Sequence, residues 1–528
     1  MLWNLVVGAL RTDSSWAVPS WNELVIYELH VGTFCGQGPG GTLPATLDQC
    51  VEKLDHLQLL GVNAIELMPV AEFDGNVDWG YTGAYPYAVE QAYGGPDAFK
   101  RFVNSCHLRG IAVLLDVVYN HLGPMDLPLW QFDGWSENGL GGIYFYNDER
   151  AATPWAHTRL DYSKDHVRAY LHDNLVFWLD TMHCDGLRVD GASWIRMWGG
   201  TLNRSGAVYN PEGETLLQEL TASAHSLQAP KLMIAEDLQG NESLTTSLDR
   251  GGLGFDAQWD GSFAVRTRRF LQAEDDKRSM TDIMAAVLGD GLGSFSRTVY
   301  TESHDEASKL RLPEEISPGD PSSWRARKLS ALGTALLMVS PGIPQLFQAQ
   351  EFLAAATFSA GVAILVLWLL LNAGSFALYQ DLISLRRNLR GTSRGLTGKG
   401  VHAWINDGDK VLGIHRWDVG GPGDDTLVVF NFRQQALTDY RMRWPAPGLW
   451  QLAFNSESPQ YSDGTASAFA AKNEFRTDDV SFTSLPRSTI HNYAQSAVID
   501  LPPYACLIYT RPSEGRKLTT SITARTYR

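Results

Sequence analysis

Ile111-Ala-Val-Leu-Leu-Asp-Val-Val-Tyr-Asn-His121 is the stretch that decides the fold. From Ile111 to Val118 it is apolar at almost every position, as expected of a strand buried on both faces. It closes on polar groups, with Asp116 inside the run and Asn120 and His121 just past it. The texture returns downstream. Asp185-Gly-Leu-Arg-Val-Asp190, Leu232-Met-Ile-Ala-Glu236-Asp237 and Thr298–Thr301 leading into Glu302-Ser-His-Asp305 are apolar or β-branched runs that finish in a carboxylate, a histidine or both. Buried strands that all end in acids at one rim are what a barrel uses to gather carboxylates around a ligand.

Working outward, helical spacing alternates with these strands. Thr46 to Leu59 places Leu47, Val51, Leu54 and Leu57 on one side. Gly95-Pro-Asp opens a helix to about Leu108 that stops at Gly110. Lys164 to Met182, Trp324 to Val339 and Leu378 to Asn388 follow. Further strands are expected at Leu24–His30, Val62–Val70, Asp256–Trp259 and Pro344–Phe347. Strand and helix alternate about eight times, which predicts an α/β fold: a closed (β/α)8 TIM-type barrel over residues 21–395. A short N-terminal extension, 1–20, precedes it, and an irregular excursion spans 122–162. From about Leu396 the runs shorten and alternate with period two, as in Val401–Ile405, Lys410–Trp417, Asp425–Phe432 and Ala497–Tyr509. That predicts an all-β C-terminal sandwich domain over 396–511, with a polar, basic, disordered tail at 512–528.

The charge of −16 over 528 residues argues against nucleic acid or an anionic membrane as partner. The five cysteines form no C-x-x-C pair, so neither zinc nor a disulfide framework is indicated, and a reducing compartment is expected. Met1 to Leu10 is apolar but short and lacks a basic start, a poor signal peptide. The expected location is intracellular, cytoplasm or plastid, not secreted. One segment fits badly. Residues 353–373 are uncharged, largely apolar and long enough to span a membrane. A span there would put the barrel and the β domain on opposite sides of a bilayer, so a membrane is not expected as partner. A buried or partner-facing helix and a segment that is not genuine coding sequence are the other readings.

Cleaving a glycosidic bond with retention needs two carboxyl groups about 5 Å apart, one nucleophile and one acid/base. Asp190 and Glu236 end successive strands and are the candidates. Arg188, two residues before Asp190 and so on the same strand face, would keep the nucleophile ionised. In a drier niche Glu236 would hold its proton for the leaving oxygen. Asp305, beside His304, would grip sugar hydroxyls. Taken singly, each is most often a solvated or ion-paired residue; it is the set of four strand-end segments that carries weight.

In order and spacing these four segments resemble the signature regions of the α-amylase superfamily, glycoside hydrolase family 13. The resemblance covers about Trp21 to Ile508. It implies Asp190 as nucleophile with Arg188 beside it, Glu236 as acid/base, and His304 with Asp305 as transition-state stabilisers. It also implies Asp116 as structural support of the site and His121 as a sugar contact. Asp78-Trp-Gly-Tyr-Thr-Gly-Ala-Tyr85 resembles the motif whose tyrosine stacks under the sugar, here Tyr81. Glu28-Leu-His-Val-Gly-Thr-Phe34, Trp79-Gly-Tyr81 and Glu302–Asp305 look most like glucan branching enzymes and trehalose-releasing relatives. The implied partner is an α-glucan, starch- or glycogen-like or a malto-oligosaccharide. The implied reaction is transfer of α-1,4 chains to 6-hydroxyls, with hydrolysis of α-1,4-glucans as the alternative and an impaired glycan-binding protein as a third reading. There are departures: only about 20 residues stand where a β-sandwich usually precedes the barrel, Glu306 replaces a usual Gln or Asn, and Ala349 replaces a usual glycine. Asn120 matches a calcium ligand of many amylases, but the excursion is short, so no cofactor and no essential metal are expected.

Overall fold

The computed structural model describes residues 15–36, 43–229, 231–362, 372–461, 474–477, 493 and 495–513. Eight parallel strands close into a barrel: β1 Ile26–Leu29, β2 Ala64–Leu67, β3 Ala112–Val117, β4 Gly186–Val189, β5 Leu232–Ala235, β6 Ala257–Trp259, β7 Arg297–Tyr300 and β8 Ile343–Phe347. Each pairs with its successor, and β8 returns to β1 with Gln345 opposite Ile26. The strands are buried along almost their whole length because the lumen lies on one face and helices cover the other.

The covering helices include α1 Leu47–Leu60, α2 Gly95–His107, α3 Asp165–Val176, α4 Pro211–Ser226, α5 Gly261–Gln272, α6 Met280–Leu288, α7 Trp324–Val339 and α8 Ala373–Arg386. α1 starts with a capping box, Thr46 and Gln49 each accepting from the other's backbone N–H, and stops at Gly61, whose φ of +99° is left-handed. The helix expected from Lys164 to Met182 is α-helical only to Val176. Phe177–Thr181 widens into a π turn, with Met182 N donating to Phe177 O at 2.8 Å. α8 begins five residues before the expected Leu378.

At the barrel's N-terminal end, Trp16 Nε1 donates to Asp185 Oδ1 at 2.8 Å, and its indole stacks on His107 at 4.4 Å. Residues 1–14 and 514–528, the bulk of the expected extension and tail, lie outside the described residues, as do residues 37–42. Of the apolar segment 353–373, residues 354–362 form a loop pinned by Phe358, which packs with Met68, Ala307 and Phe347; residues 363–371 lie outside the described residues. Among the described residues no helix is long and apolar enough to cross a membrane.

The C-terminal part is all-β. Six antiparallel strands form one sheet: β9 Gly400–Asn406, β10 Val411–Trp417, β11 Thr426–Asn431, β13 Gly448–Asn455, β14 Glu474–Thr477 and β16 Ala505–Thr510. The pair β12 Leu437–Trp444 and β15 Gln495–Leu501 lies over it. Between them sits a core of Trp404, Trp444, Trp450 and Tyr509. The sheet's other face joins the barrel core through Phe430, Phe432 and Ile508. The described cysteines are free thiols; Cys35 and Cys50 touch, Sγ to Sγ 3.2 Å.

Candidate active site

The site grows from strand register. Asp116 on β3 lies opposite Arg188 on β4, so their side chains meet in the lumen. Arg188 Nη1 donates to Asp116 Oδ1 and Oδ2 at 2.8 and 2.7 Å and to Asp190 Oδ1 at 2.7 Å. Its Nη2 lies 3.1 Å from Glu236 Oε2, an ion-pair contact. The guanidinium also sits 4.3 Å from the ring centre of Trp259. One buried cation thus joins three carboxyl groups from β3, β4 and β5. Burial opposes its charge, but Asp116, Glu236, Tyr81 and Asp190 outweigh this and hold it well above the ordinary arginine range.

Glu236 follows β5 and is 13% exposed, so it is screened from bulk water yet reachable. Its Oε2 accepts from the amide of Gly191, the residue after Asp190, at 2.7 Å. Burial lifts its carboxyl to about 8, against the pull of Arg188 and with help from Asp190 and Asp305. Asp116 is raised to about 7, again chiefly by burial.

Tyr81, on the loop after β2, donates to Asp116 Oδ2 at 2.6 Å and stacks on His304 with centroids 5.1 Å apart. His304 and Asp305 open a short helix after β7. Ser303 caps it, accepting from the Asp305 amide, while Glu306 reaches back to the Ser303 amide and hydroxyl. Glu306 is therefore the partner in a capping box, not a group aimed at a ligand. Asp305 keeps 45% of its side chain exposed, and His304 Nε2 lies 3.7 Å from its Oδ1. His121 bonds through Nδ1 to Asn120 Oδ1 at 2.5 Å, and Asn120 Nδ2 donates to Asp190 Oδ2 at 2.6 Å. With Asn120 as the link, all eight candidate residues form one connected cluster at the C-terminal rim.

Sequence reasoning missed Glu28 and the link that Asn120 makes to Asp190. Glu28, on β1, bonds His304 Nδ1 at 2.5 Å. Burial opposes the imidazolium, but Glu28 and then Asp305 carry His304 up to about 10. A lone acid inside an apolar strand was the available signal, since a buried carboxylate needs a partner. Asn120 turns Oδ1 toward His121 Nδ1 and Nδ2 toward Asp190. Among the described residues no group of three or more His, Cys, Asp or Glu side chains could hold a metal ion. Ala349 stands in a left-handed conformation, φ +68°, which accounts for the glycine usual there.

Two families match parts of the chain: alpha amylase, catalytic domain, over residues 36–127, and alpha amylase, C-terminal all-beta domain, over 404–512. A 1,4-alpha-glucan branching enzyme of Marinobacter nauticus is 30% identical over 491 residues, 87% of this chain and 75% of that one. The chain belongs to the α-amylase superfamily. It is a member of this superfamily of glycoside hydrolases and transferases. A malto-oligosyltrehalose trehalohydrolase of Arthrobacter ramosus is 42% identical over 254 residues, 47% of this superfamily member and 39% of its relative. The chain spans from about two fifths to three fifths of the length of the trehalohydrolases it matches. A Salmonella typhimurium structure provisionally named an α-amylase superposes with a TM-score of 0.67 at 20% identity, over 95% of this chain and 84% of that one, a likeness of fold.

Proposed function

We propose that this protein is a retaining α-glucan enzyme of the branching type, which cuts an α-1,4 chain and transfers it to a 6-hydroxyl. The observation that carries the chemistry is the single guanidinium of Arg188 shared by Asp190 and Glu236. Together with the Gly191 amide on Glu236, it gathers the two carboxyl groups around one cation, in support of a nucleophile and acid/base pair. Asp190, in contact with a cation, attacks the anomeric carbon. Glu236, whose carboxyl stays protonated to about pH 8, gives its proton to the leaving oxygen and then takes one from the acceptor hydroxyl. Asp305 and the charged His304 bond the sugar hydroxyls, Tyr81 lies under the ring, His121 contacts the sugar from β3, and Asp116 orients Arg188 and Tyr81.

Branching is favoured by the branching-enzyme relatives, whose similarity runs through both barrel and β domain, over 87–97% of the chain. A second reading, hydrolysis of malto-oligosaccharides, is favoured by the trehalohydrolase of higher identity over a shorter stretch. Water and a sugar acceptor intercept the same glycosyl-Asp190 intermediate, so the test must follow the acceptor. Amylose is incubated with the protein and with its Asp190→Ala variant, and iodine colour and reducing ends are followed together. Colour lost without new reducing ends, and not lost with the variant, is the outcome expected of transfer. A matching rise in reducing ends makes the protein a hydrolase.

A further inference from the structure

Glu28 has no part in the reaction as assigned above, yet it is joined to the site. On β1 it is 1% exposed, and it stands in register with Glu66 on β2, which is as deeply buried. Glu28 Oε1 accepts from His304 Nδ1 at 2.5 Å, and its Oε2 accepts from the His304 amide and from Gln345 Nε2, both at 3.3 Å. β8, which carries Gln345, lies between β1 and β7 in the barrel wall, so the carboxylate reaches past a whole strand to hold the histidine. Neither oxygen of Glu66 has a hydrogen-bond donor among the described residues, and burial, then Glu28, push its carboxyl well up. Glu66 therefore keeps its proton, and the negative charge of the pair stays on Glu28, the member with donors.

The other neighbours leave His304 one direction in which to act. Tyr81 stacks on the ring with its hydroxyl 3.5 Å from Nδ1, and Trp79 meets the ring edge-on at 5.8 Å. His30, lowered to about 4 by burial, is neutral. Arg188 opposes a charge on the imidazole and Asp305 favours it. With Nδ1 on Glu28, Nε2 is left, and at 3.7 Å from Asp305 Oδ1 it is too far for a hydrogen bond. We propose that Glu28 is a positioning residue for the reaction: it turns Nδ1 of His304 inward and keeps the ring an imidazolium, so that Nε2–H is presented to a sugar hydroxyl as a charged donor. Charge-assisted hydrogen bonds are about twice as strong as neutral ones, and bonds to ring hydroxyls that tighten in the transition state supply part of the rate. This rests on the α-glucan reading and adds the group that sets the charge of His304.

The test is Glu28→Gln in the full chain. Glutamine is the same size and still offers an oxygen to Nδ1, so it removes charge and leaves shape. His304 should then fall from about 10 toward the ordinary imidazole range near 6.5, because burial and Arg188 oppose its charge with Asp305 left to favour it. The sign follows: an imidazolium that the reaction needs is lost as pH rises through the lowered value. Relative to the wild type at the same pH, kcat/KM on amylose should be within about ten-fold at pH 5.5 and about 10²-fold down at pH 8. Glu28→Asp, which restores a carboxylate, should recover much of the loss at pH 8. Histidine NMR on protein labelled at the imidazole carbons, with His304→Gln to assign the signal, reads the same change without turnover. A deficit equal at both pH values, or a His304 signal that titrates alike in Glu28→Gln and in the wild type, overturns the inference and leaves the functional reading intact. A wild type that alters neither iodine colour nor reducing ends sinks the functional reading and this role of Glu28 with it, even where the His304 titration moves.

Discussion

Burial lifts the Glu236 carboxyl to about 8 against the pull of Arg188, and Asp190 and Asp305 add to the lift. A general acid works in its protonated form, so the sign is fixed: kcat/KM should fall about ten-fold per unit above about pH 8. His304, carried to about 10, keeps its charge across that window. Asp116, near 7, also titrates within it, so the profile must be compared with that of Glu236→Gln. That variant should lose the alkaline limb along with about 10²–10⁴ of the rate. A limb that persists in Glu236→Gln would assign the proton to another group. At this scale the strand-end carboxylates were legible, because an acid that closes an apolar run has few other reasons to be there. Glu28 was not, because inside β1 nothing in the sequence says which lumen neighbour it meets; that depends on the β1–β2 and β1–β8 pairings and on the return of His304 from β7.

Loops and short elements decide whether those residues point correctly. Gly80 has a φ of +97°, and a Cβ there would stand 2.1 Å from Pro69 O, so the chain must pass as glycine just before Tyr81. Gly80→Ala should displace Tyr81 from Asp116 and His304 and lower kcat/KM about 10²-fold while unfolding stays cooperative. Gly75→Ala is the control. Its φ of +83° is similarly strained, but nothing lies within 4 Å of its Cβ, so it should lose some stability and little activity. The helix His304–Lys309 yields a second contrast. Ser303→Ala leaves the Asp305 amide without its hydroxyl acceptor and the Glu306 carboxylate with the backbone amide of residue 303 but not the hydroxyl, and should cost about 1 kcal/mol and part of the activity. Glu306→Gln keeps the capping box, since glutamine fills the same role, and should be nearly neutral in urea titration. Helices α1, α2 and α7 were legible almost to the residue because caps and periodicity agree there. The π turn at Phe177–Thr181 was not, because its apolar pattern is the same as that of a continued α-helix.

At the scale of the molecule, the β domain and the barrel share one core. Phe270 on α5 meets Phe432 at 4.7 Å, Arg416 Nη1 donates to Val339 O at 2.6 Å, and Tyr504 donates to Asp275 Oδ1 at 2.6 Å. A change of texture near Leu396 was readable in the sequence, but this docking was not, because the contacts join residues 77 or more positions apart. Across the same boundary Lys328 Nζ on α7 bonds Glu457 Oε1 at 2.6 Å, with Glu457 almost wholly buried. Removing one partner of such a pair strands a buried charge, which costs about 3–5 kcal/mol, whereas replacing both with apolar side chains of similar size is close to neutral. Lys328→Ala should therefore destabilise strongly, and Lys328→Met with Glu457→Leu should restore most of the loss. The pH dependence supplies a second check. Burial already raises the Glu457 carboxyl above its ordinary value, with Lys328 pulling it back down, so removing Lys328 raises it further. A carboxyl raised in the folded state stabilises fully below its unfolded value, about 4.3, and loses that contribution as pH rises through the folded value. The deficit of Lys328→Ala should accordingly be small near pH 4.5 and grow toward pH 8, with one cooperative urea transition throughout. A deficit independent of pH would mean that Lys328 acts through the packing of its methylene stem, and two separate transitions would mean that barrel and β domain do not depend on each other for stability.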